Sequence, residues 1–107
     1  MAKQLTYTDN GKAYTQQFTR NTVRQMEGSG FVADDIDTKP MTVLPALFAG
    51  AFLAHHRFEK QSVIEEIYSK MKDKMSLIER LAEMYNEPIK AMLDEPEEGN
   101  LEWTPSW

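Results

Sequence analysis

Residues 41–54 read MTVLPALFAGAFLA and form the most apolar stretch of the chain. Large apolar residues recur there at helical spacing, and the positions between them are small and apolar rather than charged. A helix that is apolar most of the way round must be nearly surrounded by other elements. The pattern predicts a central helix over residues 43–56, capped by Thr42, with Pro45 in its first turn. The side chains predicted to face inward are Leu44, Leu47, Phe48, Ala51, Phe52 and His55.

A β-hairpin is predicted upstream, over residues 3–18. Asn10-Gly11 supplies the two residues with positive φ that a type I′ turn requires. With this two-residue loop, Tyr7 lies opposite Tyr14 and Leu5 opposite Gln16. Because Gln16 interrupts the apolar face, we expect that end of the hairpin to be partly exposed.

Three more helices complete the expected body. One spans about 20–27 with Thr19 as its N-cap, and another spans about 61–73. The last opens with a capping-box pattern at Ser76, and Pro88 breaks or kinks it. The predicted fold class is α+β: an N-terminal β-hairpin packed on about four α-helices, predominantly helical.

A change of charge divides the chain. Five of the seventeen acidic residues lie in residues 94–107, where there is no Lys or Arg, and this leaves twelve acids against twelve bases in residues 1–93. We therefore expect one α+β domain over 1–93, followed by a flexible, acidic tail over 94–107. Both tryptophans, Trp103 and Trp107, lie in that tail.

Composition excludes several classes of function. The chain has no cysteine, so disulfide and thiol chemistry are absent. Its pI of about 5.0 argues against nucleic-acid binding through phosphate neutralisation. The apolar stretch at 41–54 is too short to span a bilayer, and the N-terminus lacks the apolar region of a signal peptide. We expect neither a nucleic-acid nor a membrane partner.

No pattern of residues indicates catalysis or metal binding. His55 and His56 are adjacent, so on a helix they point about 100° apart and cannot share a metal in the i, i+4 manner. Asp34, Asp35 and Asp37 lack the glycine and closing glutamate of a calcium loop. We predict a protein that is not an enzyme and has no cofactor and no metal.

Candidate protein-binding residues come from two places. Phe48 and Phe52 belong to the central helix, whose apolar surface is either all core or partly exposed. Leu101, Trp103 and Trp107 are apolar anchors in the tail, which either insert into a partner or fold back on the body. Met41, Met75 and Met84 are harder to place in the core, and a groove is the alternative position for them.

The whole chain resembles the small tail assembly chaperones of siphophages that infect Gram-positive bacteria. The resemblance is carried by residues 2–7 (AKQLTY), 10–12 (NGK), 18–20 (FTR), 39–57 (KPMTVLPALFAGAFLAHHR), 81–89 (LAEMYNEPI) and 99–103 (GNLEW). Length, order of elements and the acidic tail are also similar. The Gln16-Gln17 pair departs from the apolar pattern expected of the hairpin.

This resemblance implies a non-catalytic chaperone made during infection in the host bacterial cytoplasm. Such proteins bind the tape measure protein, keep it soluble, help recruit tail tube subunits, and leave before the virion is finished. The expected partners are therefore the tape measure protein and the tail tube protein, and a homo-oligomer is not excluded. Two alternatives stay open: a structural head–tail or tail component of the virion, and a small phage regulator that binds a host protein.

Overall fold

The computed structural model describes residues 3–93 and 101–107. It contains, in order, strands β1 (Leu5–Asp9) and β2 (Lys12–Gln16), helix α1 (Arg20–Gly28), a short 3-10 turn (Ala33–Ile36), and helices α2 (Pro40–Gly50), α3 (Gln61–Lys70) and α4 (Lys74–Leu93). The fold is α+β, with one antiparallel hairpin followed by four α-helices in this part of the chain, which confirms the predicted class.

The hairpin has the predicted register. Tyr7 pairs with Tyr14, and Leu5 pairs with Gln16. Asn10 and Gly11 both have positive φ, 51° and 78°, as a type I′ turn requires. The turn chemistry alone therefore set the pairing of every residue in the two strands.

Gln16 corrects the prediction of an exposed hairpin end, because its side chain is 0% exposed. The last carbonyls of a helix have no partner within the helix. Near the end of α2, the amide of Phe52 donates to Ala49 instead of to Phe48, and Gln16 Nε2 donates to the Phe48 carbonyl at 3.1 Å. Gln16 thus binds the C-terminal end of α2 and docks the hairpin on it.

Further contacts hold the hairpin against the helical body. The amide of Gln17 donates to the Ala51 carbonyl at 3.0 Å. Gln16 and Gln17 therefore each donate one hydrogen bond to a carbonyl near the end of α2. Lys12 binds Glu59 at 2.8 Å, and Lys70 binds Asp9 at 2.6 Å. A two-stranded sheet is marginal by itself, and these contacts explain how this one is stabilised.

The central helix is shifted from its predicted bounds. It begins at Pro40, which occupies the first turn, so the cap predicted at Thr42 is wrong and Pro45 lies inside the helix. It ends at Gly50, and turns follow over residues 51–55. Consequently His55 is exposed and His56 is half-buried, the reverse of the predicted orientation.

Gly50 ends α2 at a point of close approach to α1. A Cβ built on Gly50 would lie 2.5 Å from both Sδ and Cε of Met26. Only a residue without a side chain leaves Met26 in place there. Met26 is 5% exposed and belongs to the core.

The other helix boundaries contain one success and two corrections. Thr19 caps α1, and its hydroxyl accepts a hydrogen bond from the Thr22 amide at 3.2 Å. Helix α4 begins at Lys74 rather than at Ser76. It also continues through Pro88 to Leu93, so the predicted break is absent.

The core lies where the hairpin, α1, α2, α3 and α4 meet. Aromatic rings dominate its centre: Phe48 and Phe52 pack edge-to-face at 5.5 Å, and Tyr14 contacts Phe52 at 5.9 Å. Tyr85 of α4 packs against Phe18 at 5.3 Å. Such edge-to-face pairs contribute roughly 0.5–1.5 kcal/mol beyond their buried area.

Among the helices of residues 3–93, none is long and apolar enough to cross a membrane. The predicted boundary between the body and the tail, after residue 93, is followed directly by residues outside the described ranges and stays a prediction. Residues 94–100, which carry four of the five tail acids and the predicted flexibility, lie outside the described residues.

Candidate functional site

The predicted binding residues are separated by the structure into two groups. Phe48 and Phe52 are each 1% exposed and form the centre of the core. In this conformation the surface does not offer either ring to a partner. Their observed role is to hold the fold together.

The tail residues of the predicted set have the opposite environment. Leu101 is 91% exposed, Trp103 is 80% exposed and Trp107 is 101% exposed. Of the two interpretations of the tail, the described segment fits the one in which its apolar side chains do not fold back on the body. Three large apolar side chains within seven residues are thus presented to solvent.

An open apolar groove of about 310 Å³ lies between α1 and the C-terminal end of α4. We call it the α1–α4 groove, and its lining residues are Arg20, Val23, Arg24, Glu27, Pro88, Ile89, Met92 and Leu93. Its volume is at the small end of the roughly 300–1,000 Å³ typical of ligand sites. It therefore has room for about one large side chain.

The sequence positions the groove through two local features. The Thr19 cap starts α1 so that Arg20, Arg24 and Glu27, spaced by four and three residues, share one face. Helix α4 continues past Pro88, so Ile89 and Met92 extend the opposite wall. A break at Pro88, one of the two effects predicted for this proline, would have left no such wall.

The groove combines an apolar floor with a mainly basic rim. Ile89, Met92 and Leu93 are 38%, 60% and 83% exposed, so their apolar surface is largely uncovered. Arg20 and Arg24 make no ion pair with any residue in the described ranges. Glu27 is the single acid of the lining. Burial of the Tyr85 ring raises its pKa, and the nearby charge of Glu27 raises it further.

A second uncovered surface lies in the loop between α2 and α3. Phe58 there is 94% exposed, next to His55 and Arg57, which bind Gln17 and Gln25 respectively. No periodicity covers this loop, so no sequence pattern indicates an exposed ring there. Clefts of about 390 and 540 Å³ flank Phe58, and His55, Arg57 and Phe58 line both of them.

His56 is the most constrained ionisable group of that loop. Its Nε2 accepts a hydrogen bond from the Thr15 amide at 3.0 Å, and its ring packs against Tyr14 at 5.0 Å. Burial lowers the pKa of His56, the nearby charges of Lys12 and His55 lower it further, and Glu59 opposes them. The neutral ring is therefore the form that holds β2 to the loop.

Within residues 3–93 and 101–107, no group of three or more His, Cys, Asp or Glu side chains is arranged to hold a metal ion. Two buried polar atoms of the described core lack a partner, Tyr7 Oη and Gln16 Oε1. Burial raises the pKa of Tyr7, which keeps its hydroxyl protonated. Both atoms lie on the inner face of the hairpin, away from the clefts described above.

Of the three methionines predicted for a groove, Met84 is 3% exposed and belongs to the core. Met41 and Met75 are 89% and 80% exposed, but neither lines the α1–α4 groove. The groove instead contains Met92, which the spacing had placed inward.

A comparison with protein families matches residues 1–107 to the model described as Domain of unknown function (DUF5055). The chain belongs to the DUF5055 family. No curated protein and no solved structure matches the chain. Membership of DUF5055 covers the whole chain but assigns it no activity, and the functional argument depends on the groove and the tail.

Proposed function

We propose that this DUF5055 protein is a phage tail assembly chaperone of the host bacterial cytoplasm, which binds the tape measure protein and helps recruit tail tube subunits without catalysis. The observation that carries this proposal is the exposure of Leu101, Trp103 and Trp107 beside a folded α+β body. Aromatic and aliphatic anchors of this kind supply most of the energy in protein–protein contacts. The choice of the tape measure protein as the partner comes from the resemblance of the chain to siphophage tail chaperones.

The chemistry of the tail fits a transient contact with a long helical protein. An amphipathic helix presents its apolar face as a stripe, and Trp side chains bury large areas on such a stripe. The acidic residues around the anchors favour basic partner segments and oppose nonspecific binding to nucleic acid. A short segment that orders on contact gives weaker binding per unit area, which suits a chaperone that must leave.

Co-expression with the tape measure protein encoded by the same phage or prophage tests this function. We expect the tape measure protein to become soluble and to co-purify with the wild-type chain. The double variant Trp103→Ala, Trp107→Ala should capture at least tenfold less tape measure protein than wild type. Met41→Ala with Met75→Ala removes two other exposed apolar side chains and serves as the matched control, which should capture as much as wild type.

Three outcomes would overturn the proposal. The first is a tape measure protein that stays insoluble and unbound while the DUF5055 protein is folded. The second is recovery of this chain in purified virions at stoichiometric amounts, which would support the structural tail-component alternative. The third is preferential capture of a host protein, which would support the phage-regulator alternative.

A further inference from the structure

The α1–α4 groove and the tail have complementary chemistry. The groove provides an apolar floor and two arginines, Arg20 and Arg24, on its rim. The tail provides Trp103 directly after the acidic Glu102, in a segment without Lys or Arg. An indole seated on the floor would bring the neighbouring carboxylate to the rim, where a guanidinium can bind it with paired hydrogen bonds.

The size of the groove limits how much of the tail it holds. A volume of about 310 Å³ accommodates about one large ring with its neighbours at the rim. Trp103 has an acidic neighbour, whereas Trp107 follows Thr104, Pro105 and Ser106. The match of charge therefore selects Trp103 as the anchor.

The position of the tail argues for docking between molecules. In the structure, Trp103 is 80% exposed and leaves the groove of its own chain empty. The tail of one chain therefore does not cover the apolar lining of its own groove. The lining remains open to the tail of another molecule.

We propose that the α1–α4 groove of one copy of this protein binds residues 101–107 of a second copy, with Trp103 on the apolar floor and Glu102 at Arg20 and Arg24. Reciprocal exchange closes a two-fold dimer, and one-way exchange gives longer assemblies. This inference uses the same exposed tail as the proposed function, but its test needs only the purified protein, so the two can fail separately.

Sedimentation velocity over a range of protein concentrations tests the inference. We expect wild type to self-associate, and both Trp103→Ala and the double variant Arg20→Glu, Arg24→Glu to weaken that association at least tenfold. Lys39→Glu with Lys72→Glu changes the net charge equally at two exposed positions outside the groove, and it should associate like wild type. Circular dichroism checks that each variant is folded.

Mixing the two defective variants gives a stronger test. The Trp103→Ala protein keeps an intact groove, and the Arg20→Glu, Arg24→Glu protein keeps an intact tail. An equimolar mixture should therefore form a complex that neither variant forms alone. Glu27→Lys removes the one acid of the groove and should tighten association several-fold.

The contrary results are equally specific. A wild-type protein that is monomeric at every concentration overturns the proposal. If Trp fluorescence then changes with Arg20→Glu, Arg24→Glu, the tail binds its own groove, and if it does not, the groove serves a different protein. The proposal would also be overturned if the mixture formed no complex or if Glu27→Lys associated more weakly than wild type. The same holds if the control variant lost as much self-association as the groove variant.

Discussion

Aromatic side chains near the middle of the chain and near its end have opposite environments. Phe48 and Phe52 are 1% exposed, whereas Trp103 and Trp107 are 80% and 101% exposed. The phenylalanines are surrounded because the hairpin and the other helices pack on α2. The tryptophans lie in residues 101–107, where no element of the described chain covers them. The first pair stabilises the fold, and the second pair is exposed to solvent.

The strongest test of this difference is the truncation of a core ring. Phe52→Ala should lower the free energy of unfolding by roughly 3–5 kcal/mol, because it removes buried apolar area and leaves a cavity. Urea unfolding followed by circular dichroism measures the loss. Phe52→Asp should prevent folding, because its charge would be buried without a partner. A folded, soluble Phe52→Asp protein would contradict the central position of this ring.

Gly50 tests how closely the elements around the core approach each other. Gly50→Ala should destabilise the protein by roughly 1–2 kcal/mol, because the new methyl group would force Met26 from its position in the packed core. Gly28→Ala is the matched control, since a Cβ there meets no atom within 4 Å. Thermal unfolding of both variants should show a lower midpoint for Gly50→Ala alone. Equal midpoints would mean that Met26 finds another rotamer without cost.

At the edge of the core, we expect His56 to make a smaller contribution to stability that depends on pH. Its pKa in the folded protein lies below the ordinary value of about 6.5, so the unfolded chain binds the proton more readily. The contribution of His56 to the free energy of unfolding is fully present above about pH 6.5. It is lost as the pH falls from there through the pKa of His56 in the folded protein.

Thermal unfolding between pH 7.5 and 5 measures this dependence. His56→Gln should lose the part of the pH dependence that this ring causes. His55→Gln keeps the hydrogen bond between Thr15 and His56, so it should keep most of the pH dependence, although it loses the contact with Gln17 and one of the charges that lower the His56 pKa. If wild type and His56→Gln respond identically to pH, the neutral ring does not hold β2 to the loop.

The smallest effect on stability is expected for the tail. Trp103→Ala with Trp107→Ala should change the free energy of unfolding by less than about 0.5 kcal/mol, because both rings are exposed. The same urea experiment as for Phe52→Ala gives a direct comparison of aromatic residues at the two places. A loss of 2 kcal/mol or more would show that the rings pack on a folded body.

The candidate site could be predicted only in part. The tail anchors are visible in the sequence as large apolar residues in an acidic, Pro- and Gly-containing segment. The groove could not be found in this way, because its walls come from α1 and from the part of α4 beyond Pro88, where the sequence left either a break or a kink open. The contacts of Tyr85 with Phe18 and Phe31 anchor α4 to the core just before Pro88. Tertiary packing of this kind outweighs the one amide donor that a proline lacks.

Local chemistry by itself determined the hairpin, the start of α1 and the existence of four helices. A type I′ turn and a threonine N-cap need only a few neighbouring residues, so the sequence is sufficient to specify them. The tertiary structure decided what happens where α2 ends. There, Gln16 is buried to bind the Phe48 carbonyl, and Gly50 makes room for Met26. These contacts join residues 24 to 32 positions apart, and periodicity along the chain carries no information about which distant partner a polar side chain or a glycine will meet.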